Sequence, residues 1–339
     1  MRIRAASASA PTRIDLAGGT LDIWPISQIV EDAVTVNIAV RLYARATVVP
    51  RRDRRLEVIS LDRRRRVLHD LPLRAEAFRG PLSWLVRLAH AFAPDAPLTL
   101  ACRAEAPAGA GLGGSSALGI AVGAALARAA GMKFSKHALL TRVMNLETKE
   151  IRVPTGNQDY LAALWGGVSA FHHRQDGVAR EAIPAAGMLE RRLVLAYTGE
   201  PRQSGFSNWD MFRRYLSGDA TAARRMEAIA RIARSMRDAL RSGDWDAAGS
   251  LLGEEGRLRY RLAPSVATPA LRAADAAARR AGALGAKVCG AGGGGCMVAF
   301  ARENDRRSVA DAIARTGATL LAVRASARGV SVSGPSQGS

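Results

Sequence analysis

The stretch Pro107-Ala108-Gly109-Ala110-Gly111-Leu112-Gly113-Gly114-Ser115-Ser116-Ala117 decides how the rest of the chain is read. Its four glycines let the backbone turn sharply and approach a ligand with no Cβ in the way. Ser115 and Ser116 then open a helix whose first N–H groups lack internal partners and whose dipole favours an anion. Two hydroxyls at that point can bind a phosphate oxygen, or a metal already held by phosphates. A tight strand-to-helix turn that needs glycine for packing would look the same, and the segment by itself leaves both readings open. It is not a Walker loop, because no Lys precedes the Ser pair. It is not a GxGxxG loop with an acidic residue on the next strand, as a dinucleotide fingerprint requires, and it is not a nucleophile elbow, since the serines follow the glycines.

Outward from the loop, the patterns alternate without a regular βαβ period. Pro97 to Glu105 (PLTLACRAE) reads as a strand entering the loop, and the small-residue run from Ser115 to Ala130 as a helix stopped at Gly131. A second helix is expected from Ser135, a plausible N-cap, to Arg152, where Val153-Pro154 ends it. The first 50 residues are β-rich, with Ala33 to Pro50 β-branched, and Leu82, Leu85, Leu88 and Phe92 have helical spacing. Gly166 to His172 and Arg191 to Gly199 read as strands. Residues 210–280 read as helices broken near Gly218, Gly243 and Pro264. A strand CMVAFA, a helix from Asn304 to Thr316, a final strand ATLLAVRAS and a disordered tail complete the chain. The fold class is α+β. A shift in composition near 185–200 suggests a β-rich domain over 1–185 and a second domain over 186–328, with 329–339 as tail.

The chain has 339 residues, 48% hydrophobic and 23% charged, a globular balance that excludes disordered, collagenous and coiled-coil proteins. No apolar run is long enough to span a membrane, and the N-terminus lacks a signal-peptide core. Cys102, Cys289 and Cys296 have no CxxC spacing, which argues against a disulfide framework or zinc site and for a cytoplasmic location. The formal charge is +19. An anionic partner would explain it, but the Arg51–Arg55 and Arg63–Arg66 runs carry no interleaved aromatics. A solvated face is the preferred reading, with no nucleic-acid partner.

Two further segments change the weight of the glycine loop: Arg13-Ile14-Asp15-Leu16-Ala17-Gly18-Gly19-Thr20-Leu21-Asp22 and Lys287-Val288-Cys289-Gly290-Ala291-Gly292-Gly293-Gly294-Gly295-Cys296. In this order the three segments resemble the signature motifs of the GHMP kinases, the family named for galactokinase, homoserine kinase, mevalonate kinase and phosphomevalonate kinase. The resemblance covers the chain except its tail. It implies a β-rich N-terminal lobe of the ribosomal-protein type, an α/β C-terminal lobe and an active site in the cleft between them. It also implies ATP and Mg²⁺ as cofactors, with the protein a monomer or homodimer.

On this resemblance, Pro107, Gly109, Ala110, Gly111, Leu112, Gly113, Gly114, Ser115 and Ser116 wrap the ATP phosphates. Ser115 and Glu147 ligate magnesium, with Glu150 as the competitor for the second position. Asp159, in Thr155-Gly156-Asn157-Gln158-Asp159-Tyr160, matches the catalytic Asp, and Arg13 matches its basic neighbour. Asp22 matches a residue that hydrogen-bonds sugar hydroxyls. Gly19, Gly292 and Gly293 would shape the substrate side, while Asp15 reads as a local structural residue and Cys296 as core. The motif set is most similar to the heptose 7-phosphate kinase branch of sugar kinases, which implies transfer to the anomeric hydroxyl of a sugar or sugar phosphate. Departures at Leu21 and Asn157, and an added aromatic wall at Trp24, put the sugar itself in doubt. Gly19-Thr20 stands where galactokinases carry Glu-His. Gly199 to Phe212 is a candidate substrate loop in which Arg202 could bind a phosphate, or a helix N-terminus capped by Asn208. The competing readings are a kinase for a non-sugar alcohol such as mevalonate, and a non-catalytic protein of the same fold.

Overall fold

The computed structural model describes residues 3–200, 207–262, 268–290 and 292–334. Two long antiparallel strands, β1 (Ala6–Ala17) and β2 (Val34–Pro50), form its spine, joined by a connection containing a single helical turn, α1 (Ile26–Ile29). The β-branched first half of β2 is buried on both faces, whereas its second half alternates buried with exposed. The length of β2 lets two strands share one edge. Val34 to Ile38 pairs with β6 (Val168–Arg174), and Ala44 to Pro50 pairs with β5 (Leu98–Ala104). Beyond β5 lie β3 (Arg55–Ser60), parallel to it, and the edge strand β4 (Arg65–Asp70); β7 (Gly177–Ile183) pairs with β6. The arginine runs fall on the β2–β3 turn and the first residue of β3, and on the exposed β3–β4 turn and the start of β4.

Helix α2 (Ser83–Phe92) joins a larger helical layer made by α3 (Gly114–Ala129), α4 (Lys136–Ile151) and α5 (Gln158–Trp165). The small residues of α3 are there for close approach. A Cβ at Gly119 would stand 2.7 Å from Val143 Cγ1, and one at Gly123 2.9 Å from Val143 Cγ2 and 3.2 Å from Leu139 Cδ1. The two helices therefore run antiparallel in register, with Gly123 against Leu139 and Gly119 against Val143. One further step of four residues on each helix brings Ser115 to Glu147. Ser135 caps α4 as expected, its Oγ accepting from Ala138 N at 3.1 Å.

The second sheet has the order β11-β8-β10-β9, built from β8 (Leu193–Tyr197), β9 (Gly285–Val288), β10 (Cys296–Phe300) and β11 (Thr319–Leu321). The short α6 (Ala186–Arg192) leads into it. It is followed by α7 (Ser207–Leu216), α8 (Ala220–Ser242), α9 (Trp245–Leu262), α10 (Pro269–Arg280) and α11 (Arg306–Ala314). Asp219 caps α8, accepting from Thr221 N and Ala222 N, and Gly243 ends it in the left-handed region at φ +75°. Gly253 and Gly256 let α9 lie directly on β9; a Cβ on Gly256 would meet Ala286 O at 2.4 Å.

The expected disordered tail over 329–339 is corrected over 329–334, which the structure places, while 335–339 lie outside the described residues. After β11 the chain returns to the first sheet, where Arg41 N donates to Arg324 O and Ser326 N to Ala39 O, and residues Ser331–Ser333 form β12 against β1. The open edge of β1 supplies the unpaired backbone groups that hold this segment. Arg202 and Pro264 lie outside the described residues. No helix among the described residues is long and apolar enough to cross a membrane.

Candidate active site

A cleft of about 710 Å³ is lined by the glycine loop, the Arg13–Asp22 segment, Glu147, the 153–159 segment, Arg259 and Gly290. The loop takes its shape from Gly109, Gly111 and Gly113, all at positive φ (+69°, +74° and +71°). The third glycine-rich segment packs against it, backbone on backbone. A Cβ on Gly111 would stand 2.3 Å from Cys289 O, and one on Gly295 2.6 Å from Gly109 O, while Cys296 N donates to Ala110 O at 2.9 Å. Gly292 and Gly293 belong to this turn at φ +75° and +79°, but among the described residues of the turn it is Gly290 that lines the cleft. Cys289 and Cys296 are buried, and burial pushes the Cys289 thiol up to about 12. Neither is poised as a nucleophile.

At the start of α3, Ser115 Oγ donates to Glu147 Oε1 at 2.6 Å. Ser116 Oγ reaches Glu147 Oε2 at 3.5 Å, and the Tyr160 hydroxyl donates to the same oxygen. Burial raises the Glu147 carboxyl above its ordinary range, and the nearby charge of Asp159 adds to this. Glu150 is engaged elsewhere, bonded to Ser83 Oγ at 2.5 Å and Arg87 Nε at 2.6 Å. A hydroxyl and a buried carboxylate beside a helix N-terminus are hard oxygen donors. They fit a magnesium ion whose remaining ligands are phosphates and waters.

Arg13, on β1 and 3% exposed, donates Nε to Asp159 Oδ1 at 2.8 Å, with Nη2 at 2.5 Å from the same oxygen. Its Nη1 donates to Gly111 O at 2.7 Å. Asp159 lies in the first turn of α5, so close to the loop that a Cβ on Gly113 would stand 3.0 Å from its Cγ. One guanidinium thus fixes the carboxylate and the glycine loop relative to each other.

Asp22 is buried. Its Oδ1 accepts from Thr20 N at 3.1 Å and its Oδ2 from Gln158 N at 2.9 Å. Burial is the largest influence on its carboxyl and pushes it up to about 6; the backbone N–H of Gln158 offsets this only in part, and the charge of Asp159 adds to the rise. Gly156 clears the space, since a Cβ there would meet Asp22 Oδ2 at 2.0 Å. Trp24 is 73% exposed and does not line the cleft, although its neighbour Ile23 does, so the aromatic wall expected at Trp24 is not there.

Asp15 is more than a local residue. Lys287 Nζ lies 3.1 Å from both Asp15 Oδ2 and Glu255 Oε1, and Arg259 Nε donates to Glu255 Oε1 at 2.8 Å. Arg259 Nη2 donates to Gly19 O at 2.6 Å, and Gly18 N to Glu255 Oε2 at 3.1 Å. Burial would raise the Asp15 carboxyl, but Lys287, Arg259 and Arg13 together hold it below the ordinary range. This buried quartet ties β1, α9 and β9 to the Gly18-Gly19 turn.

Residues 82–167 match the GHMP kinases N terminal domain and residues 236–319 the GHMP kinases C terminal domain, and together these matches take in the glycine loop, Glu147, Asp159 and the third glycine segment. The chain belongs to the GHMP kinase family. It is 30% identical over 231 residues to the mevalonate kinase of Pyrococcus furiosus, the alignment covering 67% of this chain and 66% of that protein. It is 26% identical over 306 residues to the D-glycero-alpha-D-manno-heptose 7-phosphate kinase of Campylobacter jejuni, covering 86% and 87%. The crystal structure of a D-glycero-D-manno-heptose 1-phosphate kinase from Bacteroides thetaiotaomicron superposes with a TM-score of 0.78 at 22% identity, over 96% of this chain and 98% of that one. The α+β fold expected from the sequence is the fold found.

As a GHMP kinase the protein is a small-molecule phosphotransferase using ATP. Sequence reasoning singled out Arg13, Asp22, Ser115, Glu147 and Asp159, and the structure brings all five to one cleft. It missed Arg259, which lines the cleft, and the buried residues behind it: Tyr160 on Glu147, and Glu255 and Lys287 beside Asp15. Pro81, Leu82, Trp84 and Leu85 also line the cleft. The helical spacing of that segment was visible, but nothing in it pointed to a ligand.

Proposed function

We propose that the chain transfers the γ-phosphoryl group of ATP to a hydroxyl of a sugar or sugar phosphate, with the anomeric hydroxyl of a heptose 7-phosphate-like acceptor as the leading case. The observation that carries this reading is the position of Asp159. It touches the glycine loop at Gly113, is held by Arg13, and lies one residue from Gln158, whose backbone N–H holds Asp22. A hydroxyl between Asp22 and the loop is thereby presented to a carboxylate that orients it and takes its proton as the bond to phosphorus forms. The loop N–H groups and the start of α3 receive the phosphates, and Arg13 offsets charge as the phosphoryl group moves. Ser115 and Glu147 would hold Mg²⁺, which when bound neutralises phosphate charge.

A second reading, a mevalonate kinase, is favoured by the 30% identity to the Pyrococcus furiosus protein. Against it stands Asp22, a buried carboxylate bonded through two backbone N–H groups, which suits hydroxyl donors better than an acceptor that is itself a carboxylate. A non-catalytic role is disfavoured because Arg13, Ser115, Glu147 and Asp159 are all in place. Coupled ADP release over free and phosphorylated hexoses, heptoses and mevalonate tests the proposal. Turnover of a sugar or sugar phosphate in preference to mevalonate is expected, and the reverse order overturns it.

A further inference from the structure

We infer that Thr20 and Gln158 read neighbouring hydroxyls beside Asp22, so that the acceptor is a polyol that presents adjacent hydroxyls, and not a carboxylate or phosphate, to this wall of the cleft. This rests on the kinase reading above and names the acceptor chemistry of the same site. The backbone N–H groups that hold Asp22 come from Thr20 and Gln158, and both side chains are buried, 4% and 7% exposed. Both residues line the cleft, yet Thr20 Oγ1 and Gln158 Oε1 have no hydrogen-bond partner. An unpaired buried polar atom is destabilising, and such atoms in native proteins call for a reason.

The backbone points the same way. Thr20 sits at φ +84°, a left-handed conformation that is strained for a β-branched residue, directly after Gly18 and Gly19. A glycine would take that conformation freely, so the threonine is kept at a cost. Gly19 brings the groups together: a Cβ there would lie 3.0 Å from Gln158 Nε2 and 2.7 Å from both Arg259 Nη2 and Asp15 Oδ2. An ionised Asp22 and the amide oxygen of Gln158 can only accept, so each needs a donor, while Thr20 can give or take. Adjacent hydroxyls supply those donors. A carboxylate or phosphate group at this spot supplies none and would face the charge of Asp22, while the nearby Arg259 is already bonded to Glu255 and Gly19 O.

The test uses the full-length protein with Mg·ATP, a panel of hexoses and heptoses, their monodeoxy analogues, and mevalonate. Gln158→Leu should raise the acceptor KM about tenfold or more while the ATP KM stays within about twofold. That penalty should vanish on the deoxy analogue that lacks the hydroxyl Gln158 reads, which a merely structural role would not produce. Thr20→Gly should raise the acceptor KM with an unchanged or higher Tm, and Thr20→Ser should restore the KM. Acceptor KM values within about twofold of wild type in both Gln158→Leu and Thr20→Gly overturn the inference, as does a wild-type preference for mevalonate over every polyol. Calorimetric binding of the same sugars separates the two proposals. Sugar binding that Gln158→Leu weakens, without any sugar-dependent ADP release, keeps the inference and sinks the kinase reading; sugar-dependent ADP release that Gln158→Leu leaves unchanged does the opposite; and no sugar binding at all overturns the inference.

Discussion

Replacing Asp22 by Asn separates what this carboxylate costs the fold from what it gives the site. In the folded protein its carboxyl is raised from 3.8 to about 6, chiefly by burial. The folded state therefore holds a proton over a range where the unfolded chain has released it. Between about pH 4 and pH 6 the native state binds more protons than the unfolded state, so stability falls as pH rises through that window and levels off above it. A shift of about two units is worth roughly 3 kcal/mol. Asp22→Asn removes this slope. It also turns an NH₂ group toward one of the two backbone N–H groups at 3.1 and 2.9 Å, a loss of about 1–3 kcal/mol that does not depend on pH. Near pH 7.5 the two losses nearly cancel, and the variant should be about as stable as wild type. Near pH 4 it should be less stable. Urea unfolding at a series of pH values measures this, and Glu147, whose carboxyl is also raised, cancels in the comparison. In parallel, kcat/KM for the acceptor should rise with pH through about 6 in wild type and lose that limb in the variant. Parallel stability profiles for the two proteins would refute the reasoning, because Asp22 would then carry no buried charge.

Asp159→Asn keeps the size and one hydrogen bond but removes the proton acceptor, so kcat should fall by about 10²- to 10⁴-fold in single-turnover assays while ATP affinity holds. Ser115→Ala and Glu147→Gln should each raise the Mg²⁺ concentration needed for half-maximal rate, read by magnesium titration at fixed ATP; wild-type titrations in both would remove the metal assignment. Gly156→Ala places a methyl 2.0 Å from the present position of Asp22 Oδ2 and should raise the acceptor KM with little change in the ATP KM, measured by steady-state kinetics. Lys287→Met leaves Asp15 and Glu255 short of a buried cation, and denaturant unfolding should show a loss of about 3–5 kcal/mol.

The elements legible in the sequence were those whose signal is local. Glycine-rich turns at positive φ, the Ser135 cap, the Gly243 stop and the small-residue run of α3 follow from backbone dihedrals and from neighbours three or four residues apart. The three glycine-bearing segments, in their order, carried the resemblance to the GHMP kinases, and it was that resemblance that implied one site for Arg13, Asp22, Ser115, Glu147 and Asp159.

What the chain alone left open depended on which faces meet. Glu147 and Glu150 are three residues apart on one helix, and only the seating of Val143 on Gly119 and Gly123 sends Glu147 to Ser115 and leaves Glu150 to Arg87. Asp15, Glu255, Arg259 and Lys287 look like ordinary charges in sequence. Their pairing spans β1, α9 and β9, and no local pattern encodes a partner that far along the chain. Likewise Ser331–Ser333 has no strand signal of its own and is a strand because β1 offers it an open edge. Local propensity fixes dihedrals and caps, whereas the partner of a buried charge or an edge strand is fixed by desolvation, which exists only once the lobes have closed on one another.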